Sequence, residues 1–193
     1  MITDTKRQIM TKTYIGKRQI KEVISAVLVG AITSPQEIWL VSAWVSNFEL
    51  LDNRGGDWSS LNPSWGCRII SFFEVLETAV LTGCKLNLVV KKDDQNEAII
   101  QAFSTRLKHS PLFRVEVSDD LHTKGLLMES AFLSGSMNFT FYGTNKNDEE
   151  MTFFIDSRTI SDTKLFYQTA YFANTEQEID IEISEEDVDD DFF

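Results

Sequence analysis

Short apolar runs alternate with longer segments of helical periodicity, and this alternation limits the fold more than any other feature of the chain. Glu37 to Ser46 (EIWLVSAWVS) is dense in β-branched and aromatic residues and reads as a buried strand. Lys85 to Val90 (KLNLVV), Leu112 to Val117, Thr123 to Met128, Ala131 to Leu133 and Met151 to Ile155 read as further strands. Between them, Ile20, Val23, Ile24, Val27, Leu28 and Ala31 fall on one face of a helix predicted over Lys17 to Ala31, which Ser34-Pro35 ends. Arg68 to Leu81 returns to helical spacing and stops at Gly83, a C-cap candidate, and Gln95 to Leu107 and Arg158 to Phe172 complete the helices. Strands alternating with helices predict a layered α/β domain around a central mixed sheet.

The charge is unevenly placed. The chain has 30 acidic and 18 basic residues in 193, a formal net charge of -12. Ten of the acids lie between Glu176 and Asp191, where there is no Lys or Arg, so the remainder carries 20 against 18. A nearly neutral body does not exclude a nucleic-acid partner, as a uniformly acidic surface would. Residues 1–175 are expected to form one domain and 176–193 an acidic disordered tail, because that tail has too few apolar residues to pack. The tail ends in Phe192 and Phe193. It could dock on a partner protein, lie over a basic groove of its own domain, or only solubilise the chain.

Two cysteines and two histidines are too few to suggest a metal centre, and no metal or other cofactor is expected. The apolar run from Val23 to Ile32 is too short to cross a bilayer, and the start shows no secretory pattern, so the expected setting is cytoplasmic with no membrane contact. Asn53 to Gly66 (NRGGDWSSLNPSWG) is a long loop with two tryptophans that could stack bases or pack inward. Lys91 and Lys92 could touch phosphate or be a solvated strand end.

Chemistry concentrates in Leu121 to Met151. His122 and Lys124 are two apart, so on a strand they share a face. A hairpin would bring them to Ser136 and Asn138, with Asn147 and Glu149 close behind. A phosphodiester needs a nucleophile or acid that works near neutral pH, which histidine supplies. Its non-bridging oxygens need a cation and neutral donors, which Lys124, Ser136 and Asn138 offer. A carboxylate such as Glu149 could orient the histidine. His109 lies in Lys-His-Ser-Pro at a helix end and reads as a surface residue complementing the helix dipole.

The series H-T-K-G-L-L-M-E followed by G-S-M-N-F-T resembles the HKD motif of the phospholipase D-like superfamily, H-x-K-x4-D then G-S-x-N. It looks most like the compact single-motif nucleases, in which an N-x-E follows; here Asn147 and Glu149 fill those places. Glu129 stands where the family has aspartate, at a position that supports the strand more than the chemistry. The resemblance implies a layered α/β/α phospholipase D-like domain. It also implies a metal-independent phosphodiesterase with a phosphohistidine intermediate, and, since the chain holds one motif, a homodimer that contributes His122 from each copy. Nucleic acid, DNA rather than RNA, is the expected substrate. The combination DNRGGDW, NPSWG and LSGSMNFT further resembles the phospholipase D-like proteins encoded beside bacterial 7-deazapurine DNA-modification and restriction genes, which would imply a part in anti-phage restriction. The rival expectations are a catalytically silent nucleic-acid-binding subunit of a larger defence complex and a lipid phosphodiesterase.

Overall fold

The computed structural model describes residues 5–172. The acidic tail and its terminal Phe192 and Phe193 lie outside the described residues, as do the expectations placed on them. The elements run β1 (Lys6–Met10), α1 (Tyr14–Thr33), β2 (Glu37–Ser42), β3 (Glu49–Asp52), β4 (Ile69–Ser71), α2 (Phe72–Leu81), β5 (Lys85–Lys91), α3 (Asp94–Arg106), β6 (Phe113–Ser118), β7 (Lys124–Leu127), β8 (Phe132–Gly135), α4 (Phe141–Asn145), β9 (Glu150–Phe154) and α5 (Ser157–Tyr171). Seven strands form one mixed sheet in the order β1-β9-β8-β7-β2-β5-β6, and β3 pairs with β4 in a separate ribbon.

β2 is the hinge of this topology. It runs parallel to β5, with Leu40 opposite Leu88, and antiparallel to β7, with Ser42 opposite Lys124. Alternate residues of β2 face opposite ways, as a pleated strand requires. Ile38 and Leu40 join the core beneath α1, α2 and α3, which includes Ile20, Ile24, Leu28, Phe72, Leu76 and Phe103. Trp39 and Val41 join a smaller core on the other face with Ile160 and Tyr167 of α5. The result is the α/β/α layering expected, with three long helices on one face and one on the other. Each of these fully buried aliphatic side chains contributes about 1.5–3 kcal/mol.

Several boundaries differ from the sequence expectation for local reasons. β2 stops at Ser42 instead of Ser46 because the buried amide of Asn96 bonds the carbonyls of Ala43 and Lys91, which pulls the chain out of the ladder. Arg68 to Leu81 is not one helix: Ile69–Ser71 pairs with β3, and α2 starts at Phe72 behind a capping box of Ser71 and Glu74. α1 starts earlier, at Tyr14, because Thr13 caps it by accepting from the Gly16 amide. β1 carries no apolar pattern, since only Ile9 is buried and the remaining residues face solvent on the sheet edge. Gly83 follows α2 with φ 110°, a conformation that favours glycine.

The capping box supplies a test. The Arg68 guanidinium, 2.5 Å from Glu74, with help from the Ser71 amide, holds the Glu74 carboxyl at about 2, below its ordinary 4.5. The stabilisation is therefore complete above pH 4.5 and lost as pH falls through 2. Glu74→Gln should cost about 1 kcal/mol at pH 7, and the gap to wild type should close toward pH 2, measured by urea unfolding. A pH-independent gap would mean that the ion pair contributes nothing.

Candidate active site

The strand ends on one edge of the sheet converge. The carboxyl ends of β2, β5 and β8 meet the amino ends of β7 and β9 there, since Ser42 pairs with Lys124 and Gly135 with Met151. β2 is also where parallel pairing gives way to antiparallel, the kind of point where α/β sheets bind ligands.

Lys124 opens β7 and is 6% exposed. Its Nζ donates to the His122 carbonyl oxygen and lies 3.3 Å from His122 Nδ1. Burial pushes its pKa down, and the nearby Glu149 carboxylate opposes that shift. No carboxylate forms an ion pair with it among the described residues. A desolvated ammonium without an anion is poised for one. His122 is exposed beside it.

Asn138 is fixed from below. Its Oδ1 accepts from the Trp44 amide at 3.4 Å and lies 3.3 Å from Ser42 Oγ, whose single proton goes to the closer Trp44 carbonyl at 2.7 Å. A backbone N–H can only donate, so the side-chain orientation is set and Nδ2 is left to donate elsewhere. Ser42 is wholly buried and also accepts from the Phe139 amide. Ser136 donates to Glu149 Oε2 at 2.5 Å, and Asn147 Nδ2 donates to Glu149 Oε1 at 3.0 Å. Within the chain, Glu149 thus holds Ser136 and Asn147, and no hydrogen bond joins it to His122 among the described residues. The single hydroxyl proton of Ser136 reaches a phosphate only when Glu149 turns away.

His122, Lys124, Ser136, Asn138, Asn147 and Glu149 therefore share one edge. Glu129 does not: it lies past the far end of β7, about 16 Å along the strand from Lys124, where its amide donates to Gln36 Oε1. His109 is exposed past α3, with φ 56°, at that opposite edge. Three positioning residues escape sequence reasoning: Ser42, Asn96 and Thr11. Thr11 follows the edge strand β1 and is fully buried; its Oγ1 accepts from the Glu149 amide at 2.8 Å and lies 3.2 Å from the Asn147 carbonyl. The glycines next to the site are there for close approach. A Cβ at Gly135 would stand 2.0 Å from the Glu150 carbonyl, and one at Gly125 would stand 2.4 Å from the Tyr167 hydroxyl.

Two outcomes check these contacts. Thr11→Val strands the Glu149 amide, so that amide should exchange with solvent about tenfold faster, at a cost of about 1–3 kcal/mol. Gly125→Ala should lose about 1–3 kcal/mol by overpacking against Tyr167. The Tyr167 hydroxyl is buried with no partner among the described residues, so Tyr167→Phe alone should be neutral or stabilising and should recover part of the Gly125→Ala loss in the double variant. Strict additivity in urea unfolding would mean that α5 does not press on Gly125.

No family model and no curated protein matches the sequence. Solved structures do resemble the fold. NucT from Helicobacter pylori superposes with a TM-score of 0.56 at 14% identity, over 85% of this chain and 93% of that one. Nuc, a phospholipase D family member from Salmonella typhimurium, gives 0.52 at 14% identity, over 87% and 93%. TrmBL2, an archaeal chromatin protein with a novel mode of DNA binding, gives 0.51 at 11% identity, over 87% of this chain and 51% of that one. Seven strands in one mixed sheet between helices give this chain the phospholipase D-like fold.

Proposed function

We propose that the chain is a metal-independent phosphodiesterase that cleaves nucleic acid, DNA above all, as a homodimer. The observation that carries this reading is Lys124: a nearly buried ammonium without an ion-pair partner among the described residues, touching His122 at the sheet edge, near an Asn138 whose Nδ2 donors are unspent among them. Lys124 and Asn138 Nδ2 would hold the non-bridging oxygens of a phosphodiester and gather charge as it develops. Nε2 of His122 would attack phosphorus and form a phosphohistidine. The ester oxygen would leave with its bonding pair and take a proton from the second histidine, and water would then hydrolyse the intermediate.

Two features support a site completed by a second copy. Lysine has no acceptor, so its contact with Nδ1 requires Nδ1 to carry the lone pair. The neutral ring then holds its proton on Nε2, which cannot attack. A carboxylate on Nδ1 would reverse this, and Glu149 does not serve His122 of its own chain. A two-fold partner could present its Glu149 to this His122, and Glu149, on turning away, would free the Ser136 hydroxyl for phosphate. DNA as target, and restriction of unmodified phage DNA as the setting, rest on the sequence resemblance. The fold shared with TrmBL2, the DNA-binding chromatin protein, agrees with the first.

The same Nδ1 contact also favours a second reading, a silent subunit that binds nucleic acid without cleaving it. One experiment separates the two. Labelled single- and double-stranded DNA and RNA are incubated in EDTA with wild type and with His122→Ala, and the molar mass is measured in solution. Cleavage by wild-type dimer, lowered at least ~10³-fold in the variant, is the expected result. Binding without turnover by wild type would leave the silent subunit; equal activity in both would remove His122 from the mechanism.

A further inference from the structure

A groove of about 850 Å3 lies on the α1 side of the molecule, away from the reacting residues, between α1, β3, α4 and the loop that follows β3. One wall carries Lys17, Lys21 and Lys146, and the apolar surface includes Val29, Leu50 and Trp58. We infer that this groove is a binding track for single-stranded nucleic acid, which seats the nucleotides flanking the one that is cut. The inference rests on the nucleic-acid reading of the site and names the form of its substrate.

Charge is the first argument. The two acids that line the groove are already neutralised, Glu22 by Arg18 at 2.7 Å and Asp52 by Arg54 at 2.6 Å. Lys17, Lys21 and Lys146 have no ion-pair partner among the described residues. Lys21 is half-buried, and burial pushes its pKa down, with Glu49 only partly opposing. Its Nζ donates to Asn145 Oδ1 at 2.7 Å, and Lys17 Nζ donates to the Lys146 carbonyl at 2.9 Å. These contacts leave ammonium protons over for phosphate oxygens.

Continuity is the second. The residue after Lys146 is Asn147, which bonds Glu149, which bonds Ser136. A strand with its scissile phosphate at Lys124 would leave the site directly along Lys146 and onto α1. From Lys17 to Val29 the helix rises about 18 Å, room for several nucleotides.

The third argument is Trp58, which chooses the form of nucleic acid. The loop around it is organised by Asn53, a fully buried residue. Asn53 Nδ2 donates to the Gly66 carbonyl at 2.7 Å, and its Oδ1 accepts from the Trp58 amide at 2.7 Å. Trp65 of the same loop is 2% exposed and belongs to the core, whereas Trp58 packs against that core from the side and stays partly exposed where it lines the groove. A held indole beside a row of ammonium groups is a stacking platform for a base. The bases of a duplex have their faces covered by their neighbours and cannot use it.

The test is binding, kept apart from catalysis. In the full-length His122→Ala protein, anisotropy of a short fluorescent oligothymidylate is compared with Trp58→Ala and with Lys17→Ala/Lys21→Ala added. Each should weaken binding about tenfold, and the lysine variant should flatten the salt dependence by a slope of about 1.4. Lys21→Gln, which keeps the bond to Asn145, should reproduce part of the loss, and unfolding midpoints confirm that each variant folds. Unchanged oligonucleotide affinity, or an equal loss for a blunt duplex, overturns the inference. So does a groove that loses binding of the peptide 176–193 instead, which would make the acidic tail its occupant. Absence of cleavage by the wild-type protein, with this pattern of binding intact, would sink the catalytic proposal and leave the track standing.

Discussion

The end of β2 governs the functional edge. A strand buried on both faces cannot stop without satisfying the backbone groups it releases. Here Asn96 takes the Ala43 and Lys91 carbonyls and, through Oδ1, accepts from the Val45 amide at 3.4 Å, and the Ser42 hydroxyl takes the Trp44 carbonyl. The same Ser42 hydroxyl lies against Asn138, and Ser42 stands opposite Lys124 in the ladder. One buried hydroxyl thus sets the relation between the two strands that carry the site. Its loss would disturb Asn138, whose Oδ1 lies 3.3 Å away, while leaving the His122–Lys124 contact in place.

Electrostatics around this edge is arranged by burial more than by pairing. Ion pairs elsewhere, such as Arg106–Glu77 and Lys164–Glu37, tie helices to their neighbours. The buried Lys124 and the half-buried Lys21 instead lose hydration and donate to neutral acceptors, with Glu149 and Glu49 near them but not ion-paired among the described residues. Such groups cost folding energy and recover it on meeting an anion. Asn147, which follows the groove residue Lys146, bonds Glu149, which in turn bonds Ser136, and this run links the groove wall to the candidate site. Glu149 is the counterweight. It sits between Ser136 and Asn147, close enough to oppose the shift of Lys124, and it occupies the single hydroxyl proton of Ser136.

The layering and the clustering of the candidate residues were legible in the sequence because both depend on short-range patterns. The apolar period of α1 and the dense strand runs of β2 and β5 imply where each face points, and H-T-K on a strand places His122 and Lys124 together. β1 was not legible because an edge strand needs only one buried side chain, Ile9. The strand β4 hid inside a helical pattern because Ile69 and Ile70 satisfy either period over so few residues. Ser42, Asn96 and Thr11 are ordinary polar residues until their partners, about 50 to 140 positions away, are known.

The sequence by itself determined the α/β/α class, the order of its main elements and the residue types at the candidate edge, since periodicity and motif spacing are local properties. Only the tertiary structure decided that Lys124 is desolvated, that Glu149 holds Ser136 instead of its own His122, that Glu129 lies at the far end of β7, and that Trp58 faces a cationic groove while Trp65 enters the core. Burial and partner choice arise from contacts between distant segments, and no local pattern encodes which long-range neighbour a side chain meets.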